Sequence, residues 1–205
     1  MKTIFRALED GRSVPDHEFD LLFPEKIRDL SETHWTPIEI ARRAAHLLVV
    51  DSRTRVLDVG SGCGKFCFVG AITTRGQFHG IEQRSGLARL SREIATSYEM
   101  NRVEFTEGDV RSVDWSSFHG FYLYNPFIED FCTGDSKIAQ YAGYSDRAYL
   151  ELIGWVERQF QALPVGTRVV TYHGFGGEMP PEYRLLVQEP GGGDFLRLWV
   201  KVGEC

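Results

Sequence analysis

From Thr36 onward the chain switches repeatedly between helical and strand-like spacing of its apolar residues. Ile38, Ala41, Ala45 and Leu48 fall on one side of a helix expected over residues 37–49. Thr36-Pro37-Ile38-Glu39 reads as its capping box, with Thr at the N-cap, Pro at the first helical position and Glu at N3. Arg55-Val56-Leu57-Asp58-Val59 is a short apolar run, Gly60-Ser61-Gly62-Cys63-Gly64 a tight turn, and residues 65–71 continue as helix. The pattern recurs with a strand over 77–81 and a helix over 85–98, where Leu87, Leu90, Ile94 and Tyr98 keep helical spacing. Strands follow over 103–106 and 120–124, then a helix over 145–163 and a strand over 168–172.

Two closing strands, over 183–188 and 195–202, are separated by Glu189-Pro190-Gly191-Gly192-Gly193-Asp194, a connection too short for a helical crossover. They are expected to pair as an antiparallel hairpin. Alternating strands and helices before them imply a parallel sheet. The expected fold is therefore α/β: an open, mostly parallel seven-stranded sheet, helices on both faces, and a C-terminal antiparallel hairpin. Residues 1–35 show no clean period and are read as an N-terminal cap segment ahead of a domain over 36–205.

Composition narrows the class. The 205 residues, 42% hydrophobic and 25% charged, suit one globular domain with a continuous core. No stretch approaches the roughly 18 apolar residues of a membrane span, and the first residues hold no apolar signal core, so a cytoplasmic location is expected. The four cysteines form no CxxC pair, which predicts reduced thiols and no metal site; Cys63 and Cys67 share a helix face but are only two. With 23 basic and 29 acidic residues the net charge is −6, and no basic run exceeds Arg42-Arg43, which disfavours a long phosphate backbone as partner.

The candidate chemistry collects at strand ends, where open α/β sheets bind their ligands. Asp58 and the glycine turn follow the first strand, Glu82 ends the second, Asp109 follows the third, and Asn125-Pro126-Phe127 ends the fourth. A dinucleotide fingerprint would need a third glycine at position 65, which is Lys65, so the spacing is GxGxG and counts against a nicotinamide or flavin enzyme.

Through Val56-Leu57-Asp58-Val59-Gly60-Ser61-Gly62-Cys63-Gly64, Glu82 and Glu107-Gly108-Asp109-Val110, the sequence resembles the class I S-adenosylmethionine-dependent methyltransferases over roughly residues 36–202. The resemblance implies a Rossmann-like methyltransferase fold with S-adenosylmethionine as cofactor. It implies that Gly60, Ser61, Gly62 and Gly64 lie against the amino-acid part of the cofactor, and that Asp58 attracts its ammonium group. Glu82 would accept hydrogen bonds from both ribose hydroxyls, for which a carboxylate's two oxygens suit a vicinal diol. Asp109 would sit by the adenine amino group, with the Val110 backbone beside the ring. The capping box or the cofactor carboxylate accounts equally for Thr36.

Asn125-Pro126-Phe127 resembles, one proline short, the Asn-Pro-Pro-Tyr/Phe motif of amino-group methyltransferases. That resemblance implies that Asn125 and the adjoining backbone orient an acceptor NH2 while Phe127 packs on it; a plain strand end with a buried aromatic is the other reading. Asp130 or His173 are candidates to deprotonate an amine acceptor, and His34 and Trp35 to line its pocket. A protein side chain such as lysine or glutamine, or a small amine, is favoured over nucleic acid as acceptor. Methylation of oxygen or of a small molecule, and cofactor binding without transfer, stay open, as do acceptor identity and oligomeric state.

Overall fold

Burial on both faces selects the strands of a parallel sheet, and the first strand shows why this segment forms one. In the computed structural model, which describes residues 2–28, 35–127 and 146–203, β1 (Arg55–Val59) buries every residue after Arg55. It pairs in parallel with β2 (Gln77–Glu82), Asp58 standing opposite Gly80 and Val59 opposite Ile81. The next strand, β3 (Val103–Glu107), pairs in parallel with β2, bringing Glu107 opposite Glu82. With β4 (Gly120–Tyr124), β5 (Arg168–Tyr172), β6 (Tyr183–Gly191) and β7 (Asp194–Lys201), the seven strands run in the order β3-β2-β1-β4-β5-β7-β6. The order reverses at β1, where this architecture places its ligands. The mostly parallel sheet and its antiparallel end are those expected from the sequence.

The chain divides into two compact units, Met1–Tyr122 and Leu123–Cys205. In the first unit, the described residues ahead of Trp35 include the short α-helices α1 (Lys2–Glu9), α2 (Asp16–Phe19) and α3 (Glu25–Arg28). The aperiodic N-terminal sequence conceals them because two span a single turn and gain their stability from tertiary contacts rather than from an amphipathic pattern. Phe19 and Phe23 are buried, and Phe23 meets Trp35 edge-on at 4.7 Å, so Trp35 is a packing residue. After them come α4 (Ile38–Leu48), α5 (Lys65–Thr73) and α6 (Ser85–Ser97). Residues 65–71 of α5 are buried all round, as befits a helix with no polar face.

The capping box expected at Thr36 does not form. Pro37 is the N-cap of α4, with extended backbone and no side-chain cap, so Glu39 lies one place early for the box. The Thr36 hydroxyl instead shares a 2.8 Å hydrogen bond with Tyr122, and the Ile38 N–H is capped at 3.0 Å by Asp16 from α2. Glu39 turns to Ser13 and Arg42.

In the second unit, α7 (Asp146–Ala162) precedes β5, and the β6–β7 hairpin turns at Gly192-Gly193. Its strands extend further into the turn than the sequence suggested, with Pro190 opposite Phe195 and a register shift between Leu185 and Val187. The buried Lys201 of β7 donates to the carbonyls of Gln161 and Leu163, satisfying acceptors that the helix end leaves open. No helix among the described residues is long and apolar enough to cross a membrane.

Candidate active site

The turn after β1 is held from the neighbouring strand. Gly60 and Ser61 both donate their backbone N–H to the Ile81 carbonyl at 3.0 Å, and Gly62 donates to Glu82 Oε2 at 2.8 Å. Two glycines of this turn are needed for different reasons. Gly62 has φ +55° and nothing within 4 Å of the place its Cβ would occupy, so it presents bare backbone to open space. Gly64, at φ +85°, would drive a Cβ to 2.5 Å from the Phe105 ring, so packing alone demands glycine there. The Ser61 hydroxyl is buried without a hydrogen-bond partner among the described residues.

Asp58 lies just below the turn, 4% exposed. The one side-chain hydrogen bond of its carboxyl among the described residues comes from the Cys67 thiol at 3.4 Å. Burial pushes its pKa up to about 7; the Cys67 hydrogen bond works against this and the nearby Glu82 carboxylate adds to it. Burial likewise raises both Cys63 and Cys67, which are free thiols rather than reactive thiolates. A buried carboxylate facing thiol and carboxylate suits an incoming cation, and this donor set fits the ammonium group of the expected cofactor.

Glu82, 3% exposed, is fully engaged. Oε1 accepts from Arg84 N at 2.9 Å and Nε at 2.7 Å; Oε2 accepts from Gly62 N and from Arg84 Nη2 at 3.0 Å. Asp109, the N-cap of a 3-10 turn over Val110–Ser112, repeats the arrangement with Arg111. Oδ1 accepts from Arg111 N and Nε, both at 2.8 Å, and Oδ2 accepts from Nη2 at 2.5 Å. The Arg111 guanidinium holds the Asp109 carboxyl below its usual range. Val110 is buried, and its carbonyl accepts from the Trp115 indole at 3.3 Å.

The first unit thus brings Gly62 and Glu82 into direct contact, sets Asp58 beneath the same turn, and ties Thr36 to Tyr122 at the start of α4. Sequence reasoning missed Arg84 and Arg111, although the repeated acid-x-Arg spacing was visible. It also missed Lys65, the first residue of α5. Lys65 is 3% exposed and its ammonium lies 2.6 Å from Asp16 and 2.8 Å from Asp20. This cluster, buried at Lys65 and Asp20 and partly exposed at Asp16, ties α2 and the turn after it to the helix that follows the glycine turn.

Asn125, Pro126 and Phe127 lie in the second unit, Phe127 buried and Pro126 partly so. Asn125 has φ +40° and donates its backbone N–H to the Gly174 carbonyl at 2.9 Å. His173, at the end of β5, also has positive φ, +59°, and its Nδ1 lies 3.0 Å from Asp194 Oδ2. Non-glycine residues in left-handed backbone are uncommon, and strained positions of this kind collect at functional sites. The sequence-level candidates His34 and Asp130 lie outside the described residues.

Residues 50–121 match the family model described as a methyltransferase domain. Among curated proteins none matches the sequence. Solved structures do share its fold. An RNA methyltransferase from Salinibacter ruber in complex with S-adenosyl-L-homocysteine is 23% identical, with TM-score 0.58 over 83% of this chain and 95% of its own. TrmN from Thermus thermophilus is 16% identical, TM-score 0.58, over 82% of this chain and 49% of its own. A SAM-dependent O-methyltransferase from Thermotoga maritima is 16% identical, TM-score 0.54, over 89% and 73%. The match over residues 50–121 is to a methyltransferase domain, and the fold is one shared with S-adenosylmethionine-dependent methyltransferases of class I architecture.

Proposed function

We propose that this enzyme transfers the methyl group of S-adenosylmethionine to an amino nitrogen, such as a protein lysine or glutamine side chain or another amine. The observation that carries the nitrogen assignment is Asn125, held at the end of β4 in left-handed backbone by its bond to the Gly174 carbonyl. That bond fixes the Asn125 backbone, and a side-chain amide oxygen carried there is suited to accept a hydrogen bond from an NH2 group and aim the nitrogen lone pair. The bound cofactor would supply an electrophilic methyl group.

The rest falls to the chain's own residues. Asp58 attracts the ammonium group, Gly62 leaves open the space a side chain would fill, Glu82 receives the ribose, and Asp109 with Val110 receives the adenine. Little acid–base chemistry is needed for a neutral amine, since positioning and acceptor dipoles supply most of the advantage. The net charge of −6 supports a protein or small-molecule acceptor over nucleic acid. Oxygen methylation is the second reading, supported by the fold shared with the Thermotoga O-methyltransferase.

The experiment is incubation with methyl-labelled S-adenosylmethionine and separate protein, RNA and metabolite fractions, followed by the Asn125→Ala variant on the fraction that accepts label. Asn125→Ala should keep cofactor affinity and turn over about 100-fold more slowly, the scale of removing one preorganised hydrogen bond from a transition state. Full activity in the variant would remove the amino-acceptor assignment.

A further inference from the structure

The two carboxylates read as adenosine ligands are each gripped by the arginine two residues later, through the same three donors. In Glu82-Gln83-Arg84 and in Asp109-Val110-Arg111, the arginine backbone N–H and Nε converge on one carboxylate oxygen and Nη2 takes the other. At Glu82 the bond from Gly62 brings the total to four, which fills the roughly four acceptor positions of a carboxylate. A ribose diol therefore finds no acceptor on Glu82 while the Arg84 fork is in place.

Lifting only the guanidinium changes this in a specific way. Oε1 keeps the Arg84 N–H and Oε2 keeps the Gly62 N–H, so one acceptor position opens on each oxygen. Two positions, one per oxygen, match the two hydroxyls of a vicinal diol. The backbone bonds meanwhile keep the carboxylate aimed and the glycine turn in shape.

We propose that Arg84 and Arg111 are internal competitors for the adenosine site: each fork and the bound nucleoside are mutually exclusive, and releasing the forks sets cofactor affinity. The proposal rests on the assignment of Glu82 and Asp109 as adenosine ligands. The Arg84 side chain is 16% exposed and its partner 3%, so this fork is weakly screened. Arg111 is 50% exposed and Asp109 36%, so its fork counts for less.

The test is calorimetric titration with S-adenosylhomocysteine, whose uncharged sulfur keeps sulfonium–guanidinium repulsion out of the comparison. Arg84→Gln should tighten binding by about tenfold and Arg111→Gln by about threefold or less, with thermal unfolding confirming that both are folded. If Arg84 merely props Glu82 in position, its loss weakens binding, so the sign of the change separates the two roles. Should Arg84→Gln not fold, Arg84→Lys keeps the charge, lacks the planar fork, and should still bind more tightly than the parent. Parent binding with unchanged or weaker binding in the variants overturns the competition and leaves the adenosine site standing. If neither parent nor variants bind S-adenosylhomocysteine, the adenosine assignment falls and the competition with it.

Discussion

Asp58 should make the protein less stable as pH rises, and replacing it with Asn should remove that dependence. Its pKa is raised to about 7 by burial, against about 4 in an unfolded chain. Between these values the folded protein holds a proton that the unfolded chain has released. The stability that this proton contributes is complete below about pH 4, falls as pH rises, and is gone above about pH 7. The full difference corresponds to about 4 kcal/mol, of which about 3 kcal/mol is lost between pH 5 and pH 8.

Asp58→Asn cannot ionise, and any cost of burying its amide is the same at both pH values. Urea unfolding of parent and variant at pH 5 and pH 8 therefore isolates the ionisation. The variant should gain about 3 kcal/mol on the parent between the two. An equal difference at both pH values would show that Asp58 does not titrate in this window. Because only the ionised form attracts an ammonium group, parent affinity for S-adenosylhomocysteine should also fall as pH drops below about 7.

Three further outcomes are expected. Gly62→Ala should fold with a loss of about 1 kcal/mol from its left-handed backbone, yet bind the cofactor poorly, because its methyl group enters the open space beside the turn. Gly64→Ala should lose about 3 kcal/mol in urea unfolding through overlap with Phe105; equal stability of the two variants would contradict this division of roles. Lys65→Met should cost about 3–5 kcal/mol by removing the ammonium that faces buried Asp20, and hydrogen exchange over residues 2–28 should quicken first; unchanged protection there would separate Lys65 from the N-terminal helices.

The sheet was legible in the sequence because β1, β4 and β5 are short apolar runs buried almost throughout and β1 and β2 are closed by Gly60 and Glu82, although β3 buries only Phe105. The hairpin was legible from the shortness of the 189–194 connection. What sequence could not supply depends on partners distant along the chain. The Thr36 hydroxyl is taken by Tyr122, 86 residues away, so a local capping pattern was misleading. The helices α2 and α3 are single turns that no periodicity marks, and α2 is fastened through Asp16 to Ile38 and Lys65. Asp58 could be placed by its motif, but its raised pKa arises from burial, with Glu82 adding to it and the Cys67 hydrogen bond opposing it. The arginine forks lay in plain spacing, yet only their hydrogen bonds reveal that they occupy the carboxylates.

The most direct test of an adenosine site at the ends of β1–β3 is calorimetry of S-adenosylhomocysteine and its 2′,3′-dideoxyribose analogue against parent protein and Glu82→Ala. Loss of the carboxylate should weaken binding of the natural ligand by about 1.5–3 kcal/mol, the range for a hydrogen bond to a charged acceptor, and removing both hydroxyls should cost far less on the variant than on the parent. Equal losses on both proteins would show that Glu82 does not touch the ribose.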